Sequence, residues 1–400
     1  MICFIAWGVN IAGGVQSLII NLTTQLSNDS EEVTIIGYEF CHIVKELRKN
    51  NINFVFVDLN LIHKNNLKSI LENKVVIFTS FSPQLGLHKL REANIRALYW
   101  NVFPTRLKDA NKIGPINLKF LTKVLVKYLF NNNSCVFMDK HGLNESINIF
   151  RNNYIVNKVN YLPIPIKIEK NYYKNNIHKS NFYKKINISY VGRGSNWKVK
   201  PFIKFINDLN VIDIGDTQII FHIITQEPQN YKEQIEKIKC SENISFLYQE
   251  NIFGEEYKKY LQKNIELHIA MGTAALDGAS MGIPTIVIDM TLTEMPKNYK
   301  YRWLFETDDY DLGHDANKYY NTNGHEFTEI INPFMNNEID SIETLSKKCF
   351  YYVKENHEIS IIANNLKNYA FETKAYVKPI LNLSFVNTII KRYLLKIFPK

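Results

Sequence analysis

The most informative segment of this 400-residue chain is Ala270-Met-Gly-Thr-Ala-Ala-Leu-Asp-Gly-Ala-Ser-Met-Gly-Ile-Pro284. An apolar run at Leu267–Ala270 predicts a buried strand that enters this segment, and small residues then predict a tight turn. Ala274–Met281 predicts a helix, which leads through Gly-Ile-Pro into a second apolar run at Thr285–Ile288. A strand, a turn, a helix and another strand in this order indicate a parallel α/β unit.

Outward from this segment, short apolar runs alternate with amphipathic stretches in two series. In the C-terminal series, strands and helices are predicted in turn at Ile186–Val191, Lys200–Leu209, Gln218–Ile224, Tyr231–Lys239 and Ile244–Leu247. In the N-terminal series, strands are predicted at Ile2–Ala6, Val33–Ile36, Asn53–Val57, Val75–Thr79 and Arg96–Trp100, with helices at Val15–Ser27 and Cys41–Lys49. Buried strands that alternate with helices predict parallel sheets covered on both faces.

The alternation breaks at Tyr161-Leu-Pro-Ile-Pro-Ile166, and the stretch that follows to Lys185 is polar and rich in Lys and Asn. Such a break is typical of a boundary between domains. The predicted organisation is an N-terminal Rossmann-like domain at 1–165, a linker at 166–185, a C-terminal Rossmann-like domain at 186–372 and a helical tail at 373–400. Two doubly wound α/β domains are expected to face each other across a cleft, with ligands outside the carboxyl ends of the strands.

Composition and charge exclude several classes of protein. With 46% hydrophobic and 22% charged residues, the chain is neither disordered nor collagenous. Five widely spaced cysteines without a C-x-x-C pair argue against a disulfide framework or a structural zinc site and favour a reducing compartment. The start of the chain predicts a buried strand rather than a signal peptide, and no apolar run of about 18 residues could span a bilayer. The formal charge of +9 favours an acidic partner, which could be nucleic acid, anionic lipid or a phosphorylated small molecule.

The first candidate loop joins the first strand to the first helix and reads Trp7-Gly-Val-Asn-Ile-Ala-Gly-Gly14. Gly13 and Gly14 let the backbone approach a ligand closely, and the amides at a helix start favour a phosphate or a sugar hydroxyl. Gly8 and Gly13 have the spacing of a P-loop, but Gly14-Val15 stands where Lys-Ser/Thr is needed, which excludes a Walker site. A glycine turn without a ligand is the alternative interpretation.

The second candidate loop follows the first strand of the C-terminal series and reads Val191-Gly-Arg-Gly-Ser-Asn-Trp-Lys198. Its glycines fit G-x-G, but Trp197 takes the place of the third glycine, so a dinucleotide fingerprint is not met. Arg193 and Lys198 would suit a diphosphate, whose charge must be neutralised when it departs as a leaving group. The alternative is that both are solvated surface charges.

The third candidate loop lies in the opening segment. Gly272 and Thr273 would offer backbone and hydroxyl donors to a phosphate at the helix start. Asp277 lies one helical turn further on, where its carboxylate could accept two hydroxyls of a ribose. The alternative for Asp277 is an acid near a helix N-terminus that only stabilises the helix dipole.

These loops resemble those of GT-B glycosyltransferases, in particular the family-4-like enzymes that use nucleotide sugars to build bacterial surface polysaccharides. The likeness rests on Gly13-Gly14-Val15, on Val191-Gly-Arg with Lys198, and on Gly272 to Pro284, which occur in the family's order across nearly the whole chain. It implies the GT-B fold, with the acceptor bound by the N-terminal domain and a nucleotide-diphosphate sugar bound by the C-terminal domain.

The resemblance also assigns roles to individual residues. It implies that Arg193 and Lys198 hold the diphosphate and that Asp277 holds the ribose, with no cofactor and no metal required. The chain departs from the family at Ile269, which stands where the first of two glutamates usually contacts the transferred sugar. The resemblance implies a retaining, hexosyltransferase-like enzyme, and this departure leaves the stereochemical outcome open.

Polar residues after two strands of the N-terminal series are candidates for the acceptor side. Asn101 ends a predicted strand and is expected to point into the mouth of the cleft, and Asp139 and His141 follow another strand. A histidine is the usual proton acceptor near neutral pH, so His141 is a candidate catalytic base. The alternative is that His141 is a surface residue of a loop.

Charge and the C-terminal tail indicate a membrane surface. Residues 1–165 carry 18 Lys+Arg against 11 Asp+Glu, which is most of the positive excess of the chain. Such a basic half suits an anionic surface that presents a lipid-linked substrate. Ser384–Lys400 predicts a helix with one apolar and one basic face, which would suit interfacial binding, or would pack back on the first domain.

The sequence therefore favours a bacterial glycosyltransferase that moves a sugar to a glycan or lipid-linked acceptor of O-antigen, capsule or lipooligosaccharide. It is expected in the cytoplasm, peripheral on the inner face of the cell membrane. The first alternative is a catalytically inactive sugar-nucleotide-binding or interaction subunit of the same fold. A nucleic-acid-binding protein ranks third, because no recognition motif accompanies the positive charge.

Overall fold

The computed structural model describes two compact units, within residues 1–6, 13–61, 64–79, 90, 94–103, 112–113, 116–117, 119–147, 159–169, 185–319 and 323–382. The second unit is Ile166–Glu358, and the first combines the preceding chain with the segment from Ile359 onward. Residues 359–372 were predicted to belong to the C-terminal domain, but they belong to the first unit. The described part of the predicted linker is limited to residues 166–169 and 185, and the predicted amphipathic tail at Ser384–Lys400 lies outside the described residues.

The first unit contains a six-stranded, fully parallel sheet. Its strands are β1 (Ile2–Ile5), β2 (Val33–Gly37), β3 (Val55–Asp58), β4 (Val75–Phe78), β5 (Arg96–Asn101) and β8 (Cys135–Phe137), in the order β3-β2-β1-β4-β5-β8. Two short strands, β6 (Lys112–Ile113) and β7 (Ile116–Asn117), form a separate antiparallel pair. The helices of this unit are α1 (Gly14–Asn28), α2 (His42–Lys49), α3 (Lys64–Leu71), α4 (Lys119–Asn131), α5 (Lys140–Ile147) and α12 (Ile359–Glu372).

The second unit repeats this arrangement around a second six-stranded sheet. Its strands are β9 (Lys185–Val191), β10 (Gln218–Thr225), β11 (Ile244–Glu250), β12 (Leu267–Ala270), β13 (Thr285–Val287) and β14 (Arg302–Trp303), in the order β11-β10-β9-β12-β13-β14. Only the last strand is antiparallel to its neighbour. The helices are α6 (Asn196–Asn210), α7 (Gln229–Ile235), α8 (Gly254–Asn264), α9 (Thr273–Ser280), α10 (Phe327–Met335) and α11 (Ile339–Asn356). Both sheets have the doubly wound order, which confirms the predicted α/β class.

Helix α12 belongs to the first unit because its apolar face is buried there against α1. Ile362 and Leu366 are completely buried in the same hydrophobic cluster as Leu18 and Leu22 of α1. The chain then runs along β5, where the Ala97 amide donates to the carbonyl of Ala375 at 2.8 Å. Residues 377–382 form a further short helix. Burial of an amphipathic face therefore assigns this segment to the first unit, which local periodicity does not reveal.

The core of the second unit is rich in aromatic side chains. Tyr190 and Phe202 stack with ring centroids 4.5 Å apart, and Phe221 meets the edge of Phe202 at 5.4 Å. This cluster covers one face of the sheet, and the opposite face of its central strands also carries buried polar side chains, among them Ser189, His222 and His268. Within the described residues, no helix is both long enough and apolar enough to cross a membrane.

Candidate functional site

The second sheet has a switch point between β9 and β12, where the strand order reverses. These two strands pair directly, with Val191 opposite Ala270. The loop that carries Arg193 follows β9, and the loop that carries Gly272 follows β12. Ligands of doubly wound sheets bind at this position, outside the carboxyl ends of the strands. The structure thus brings the second and third candidate loops of the sequence to one edge of one sheet.

Close packing against the neighbouring loop fixes the backbone of the loop after β9. A side chain at Gly194 would place its Cβ 2.3 Å from the carbonyl oxygen of Glu227, so only glycine fits. The Tyr231 hydroxyl donates to the carbonyl of Arg193 at 3.1 Å, and the Asn230 amide donates to the carbonyl of Gly194 at 2.6 Å. The side chain of Arg193 is exposed, while these hydrogen bonds from Tyr231 and Asn230 fix the backbone of the loop.

Lys198 lies half-buried near Arg193 in the first turn of α6. Its ammonium stands 5.1 Å from the centre of the Trp197 ring, and the Tyr190 hydroxyl donates to its carbonyl at 2.5 Å. Burial, and then the charge of Arg193, lower the pKa of Lys198 to about 8. Among the described residues, no carboxylate pairs with either cation. Two neighbouring cations without a counter-ion favour binding of an anion.

A hydrogen bond near Pro201 links this loop to the segment that follows β13. Pro201 lies inside α6 and has no amide hydrogen, so the carbonyl of Trp197 loses its usual helical donor. The amide of Thr291, in the segment after β13, donates to this carbonyl at 3.3 Å. The helix starts at Asn196, four residues before its predicted start at Lys200.

The loop after β12 differs from its predicted role in one respect. Gly272 has φ 64° and ψ −142°, a conformation that favours glycine. Its amide donates to the carbonyl of Leu312 at 2.7 Å and is therefore not available to a phosphate, contrary to the sequence-based expectation. Thr273 is exposed and begins α9, and no acceptor among the described residues takes the amides of Thr273 and Ala274. A phosphate at this helix start would therefore meet these two amides.

Asp277 is half-buried in the second turn of α9. Burial raises the pKa of this carboxyl to about 7, and the charge of Lys258 opposes the shift. Its carboxylate accepts no hydrogen bond from the described residues. The nearby hydroxyl of Tyr257 is buried and has no hydrogen-bond partner in the described part of the chain, and burial together with the charge of Asp277 raises the pKa of Tyr257. Both groups are therefore chemically available to a ligand with hydroxyl groups.

A buried histidine positions α9 against the sheet and was not anticipated from the sequence. His268 lies on β12, with Nε2 2.8 Å from the carbonyl of Ala274 and Nδ1 2.7 Å from the hydroxyl of Ser189. Since a carbonyl only accepts, Nε2 carries the hydrogen and Nδ1 accepts from Ser189. Burial lowers the pKa of His268 to about 4, so the ring is neutral. The only signal in the sequence is a polar residue in an apolar strand.

Four charged residues next to this edge were also missed. Asp289 follows β13, Arg302 begins β14, and Asp311 and His314 belong to the segment beyond it. All four are buried, and Arg302 Nη2 lies 2.7 Å from Asp289 Oδ1. Polarity after a predicted strand could have marked Asp289, but the other three residues lie in a region without apolar periodicity.

The candidate residues of the first unit are engaged with one another. Asn101 is buried at the end of β5, where its amide donates to the carbonyl of Gly142 at 3.3 Å and to the hydroxyl of Ser146 at 3.2 Å. The Gly142 amide donates to Asp139 Oδ1 at 2.6 Å. The expectation that Asn101 points into a cleft mouth is therefore wrong, because its amide satisfies the first turn of α5.

His141 and the glycine loop are only partly described by the structure. His141 is buried in the first turn of α5, so the alternative of a surface histidine in a loop is wrong. Its role as a proton acceptor stays a prediction. Gly13 caps α1 and Gly14 is its first residue, where an added Cβ would meet no atom. Residues 7–12 of this loop lie outside the described residues, so its ligand stays a prediction.

Within the described ranges, no three acidic, histidine or cysteine side chains are placed to bind a metal ion.

The sequence matches no protein-family model and no curated protein. Several solved structures share its fold. A glycosyltransferase from Rickettsia africae has a TM-score of 0.59 at 13% identity, over 93% of this chain and 98% of its own.

Two further structures cover nearly the whole chain. HepE from Anabaena, solved with UDP and glucose, has a TM-score of 0.51 at 11% identity, over 92% of this chain and 98% of its own. A TarM variant from S. aureus, solved with fondaparinux, alpha-GlcNAc-glycerol and UDP, has a TM-score of 0.51 at 9% identity, over 92% and 99%. At these identities the similarity shows the fold, which is that of the GT-B glycosyltransferases.

Proposed function

We propose that this protein is a glycosyltransferase that moves a sugar from a nucleotide-diphosphate sugar to a glycan or lipid-linked acceptor of a bacterial surface polysaccharide. One observation carries the proposal: Arg193 and Lys198 have no counter-ion among the described residues, and they lie on a closely packed turn at the switch point of the second sheet. A diphosphate is the anion that this edge suits best, because the amides at the start of α9 follow the adjacent strand.

The chemistry of the edge supports departure of a nucleoside diphosphate. As the glycosidic bond breaks, negative charge develops on the diphosphate oxygens, and prepositioned cations stabilise it. Lys198 is largely protonated at neutral pH, and a bound anion would favour its charged form further. We propose that these two cations supply the neutralisation without a metal, and that Asp277 accepts the ribose hydroxyls.

The structural neighbours support the same substrate class. HepE was solved with UDP and glucose, and TarM was solved with UDP. Family-4-like membership, the surface-polysaccharide pathway and a retaining outcome remain parts of this proposal. So do His141 as the proton acceptor and the binding of a ligand by Gly13 and Gly14.

The alternative is an inactive sugar-nucleotide-binding subunit of the same fold, and Ile269 favours it. This residue is completely buried on β12, paired with Ile286 and Tyr190. A sugar-contacting carboxylate at this position would have to lie inside the apolar core, so the chain contacts the transferred sugar by other groups or not at all.

The experiment that tests the proposal uses the purified full-length chain and a panel of nucleotide-diphosphate sugars. A preferred donor should raise the melting temperature by mass action. Mass spectrometry should then detect transfer to a lipid-linked or glycan acceptor, or slow hydrolysis of that donor. Binding without turnover would support the inactive subunit, and the absence of any thermal shift across the panel would contradict both.

Membrane association is a finer proposal that rests on charge. The positive excess of residues 1–165 and the apolar and basic tail at Ser384–Lys400 support peripheral binding to the inner face of the cell membrane. Deletion of this tail should reduce co-sedimentation with vesicles that contain anionic lipid, and raised salt should reduce it in the intact protein. Equal sedimentation with and without the tail would contradict its role.

A further inference from the structure

The segment Asp311–Asp315 crosses the carboxyl ends of β12 and β13 and contacts the start of α9. The Met290 amide donates to the carbonyl of His314 at 2.8 Å, and the Ala316 amide returns to the carbonyl of Met290 at 2.9 Å. Two residues earlier in the segment, the carbonyl of Leu312 accepts the Gly272 amide at 2.7 Å. This crossing segment is therefore the direct partner of the turn that begins α9.

Buried charges hold the crossing segment in place. Arg302 Nη2 lies 2.7 Å from Asp289 Oδ1 and 3.6 Å from Asp311 Oδ2. His314 Nδ1 lies 2.5 Å from Asp311 Oδ2, and the backbone amide of His314 donates to Asp289 Oδ1 at 3.1 Å. The Tyr299 hydroxyl donates to the second oxygen of Asp289 at 3.0 Å. These contacts join the segment to β13 and β14 through a cluster of four charged side chains.

The hydrogen-bond geometry determines the charge of His314. Nδ1 faces the carboxylate of Asp311, while Nε2 lies 3.0 Å from the carbonyl of Tyr319 and 3.4 Å from Asp289 Oδ2. Arg302 Nη1 also lies 3.3 Å from Nδ1, but the Asp311 oxygen is much closer. Nδ1 therefore donates to Asp311 and Nε2 donates to the Tyr319 carbonyl, so the ring is an imidazolium. With Arg302 it then balances the two carboxylates, so the buried cluster is neutral. A neutral His314 would leave one buried negative charge uncompensated.

The pKa shifts agree with this assignment. Burial alone lowers the pKa of His314, and Arg302 acts in the same direction, but the hydrogen bond that His314 donates to Asp311 and the charges of Asp289 and Asp311 outweigh both and raise it. Burial alone would raise the pKa of Asp311, but the hydrogen bond with His314 and the charge of Arg302 lower it to about 2. The other titratable groups that face the cluster are Tyr299, Asp308 and Tyr352.

We infer that His314 is a positioning residue of the donor site: as an imidazolium it completes the neutral cluster that fixes the Leu312 carbonyl on the Gly272 amide, and thereby sets the first turn of α9. The part of this inference that concerns a ligand rests on the proposed function. Beyond the Gly272 amide, the next two amides, of Thr273 and Ala274, have no acceptor among the described residues and could bind a phosphate. Loss of the proton from His314 should loosen the crossing segment and this turn together.

The test separates charge balance from packing. His314→Gln leaves the cluster with one excess negative charge, whereas the double variant Asp311→Asn, His314→Gln restores neutrality. The matched control is His222→Gln, which alters a buried histidine of β10 that is bonded to Tyr260 and Asn187. Hydrogen exchange measured by mass spectrometry on the peptide 268–276, which retains the label of its third and later amides, reports the Gly272 amide in each protein without any ligand.

We expect the single variant to accelerate exchange of this amide about tenfold, the double variant to restore most of the protection, and the control to leave this peptide unchanged. Unchanged exchange in the single variant, or greater loss in the double variant, would overturn the inference. If the single variant does not fold, NMR titration of the wild-type ring decides: a His314 pKa at or below the ordinary value of about 6.5 would overturn it.

Binding of UDP to the same proteins tests the link to the donor site. The single variant should bind UDP more weakly, and the double variant should recover. If UDP binds all variants equally while exchange changes, the ligand part of the inference is wrong. If wild-type protein binds no nucleotide sugar and no UDP, the proposed function fails, and the exchange data still decide the positioning by His314.

Discussion

The two sheets have the same strand order, but the polar groups that the described residues place at their carboxyl edges differ. In the first unit, the side chains of Asn101 and Asp139 form hydrogen bonds with Gly142 in the first turn of α5. In the second unit, Arg193 and Lys198 have no anionic partner among the described residues, and the carboxylate of Asp277 accepts no hydrogen bond there. Topology alone would make both edges candidate sites. The edge that suits a nucleotide-sugar donor is therefore distinguished by charged side chains that have no partner among the described residues, and not by strand order.

The largest expected effect is on turnover, when the two cations that distinguish the second sheet from the first are removed. Arg193→Ala and Lys198→Ala should each reduce turnover with the preferred donor about a hundredfold, because removing such a stabiliser costs roughly 2–4 kcal/mol. Lys237→Ala is the matched control, since this exposed lysine follows α7 and precedes β11 at the opposite edge of the sheet. Steady-state kinetics with wild-type values for both variants would show that the turn after β9 does not bind the diphosphate.

The second prediction concerns Asp277 and the ribose. Asp277→Asn should weaken donor binding about ten- to a hundredfold, because the charge-assisted acceptor is lost and a donor faces hydroxyl groups. A 2′-deoxyribose donor should bind the wild type more weakly, and the variant should discriminate much less between the two donors. Calorimetry of both donors with both proteins forms a double-mutant cycle. If Asp277 and the 2′-hydroxyl show zero coupling, and the free variant has a lower melting temperature, Asp277 only stabilises the dipole of its helix.

The third prediction is a bell-shaped pH dependence of UDP affinity, with its maximum between about pH 7 and pH 8. The carboxylate of Asp277 is lost as the pH falls through about 7, because burial raises the pKa of this group. The charge of Lys198 is lost as the pH rises through about 8, because burial lowers the pKa of this group. Each limb should change affinity at most about tenfold per pH unit.

Two conservative variants separate these limbs. Lys198→Arg keeps a cation that does not titrate and should remove the alkaline limb. Asp277→Asn should remove the acid limb. Calorimetry that finds both limbs unchanged in both variants would assign the pH dependence to other groups.

The smallest expected effect on the donor comes from the first unit. Asn101→Ala should lower the free energy of unfolding by about 1–3 kcal/mol, since it removes two buried hydrogen bonds to α5, at Gly142 and Ser146. UDP affinity should stay at the wild-type value. Denaturant unfolding and calorimetry measure the two quantities, and a large loss of affinity at unchanged stability would move Asn101 into the donor site.

Much of the fold and part of the candidate site follow from the sequence alone, because their signals are local. Apolar periodicity predicted both strand–helix series, and the loops that carry Arg193, Lys198 and Asp277 were predicted at the ends of strands. Glycines marked the turns because backbone conformation depends on neighbouring residues. The boundaries were less exact, as at α6, which begins at Asn196, four residues before its predicted start at Lys200.

Only the tertiary structure determined which distant groups meet. The Gly272 amide is taken by a carbonyl 40 positions later in the chain, and α12 leaves the second unit to bury its apolar face on α1. His314 meets Asp289 because β14 joins the sheet antiparallel beside β13 and brings the following segment across its edge. Periodicity reports the face of a single element, whereas strand order and the burial of charge are set by the whole chain. For that reason the charged edge was predictable from sequence, and the buried cluster that holds its turn was not.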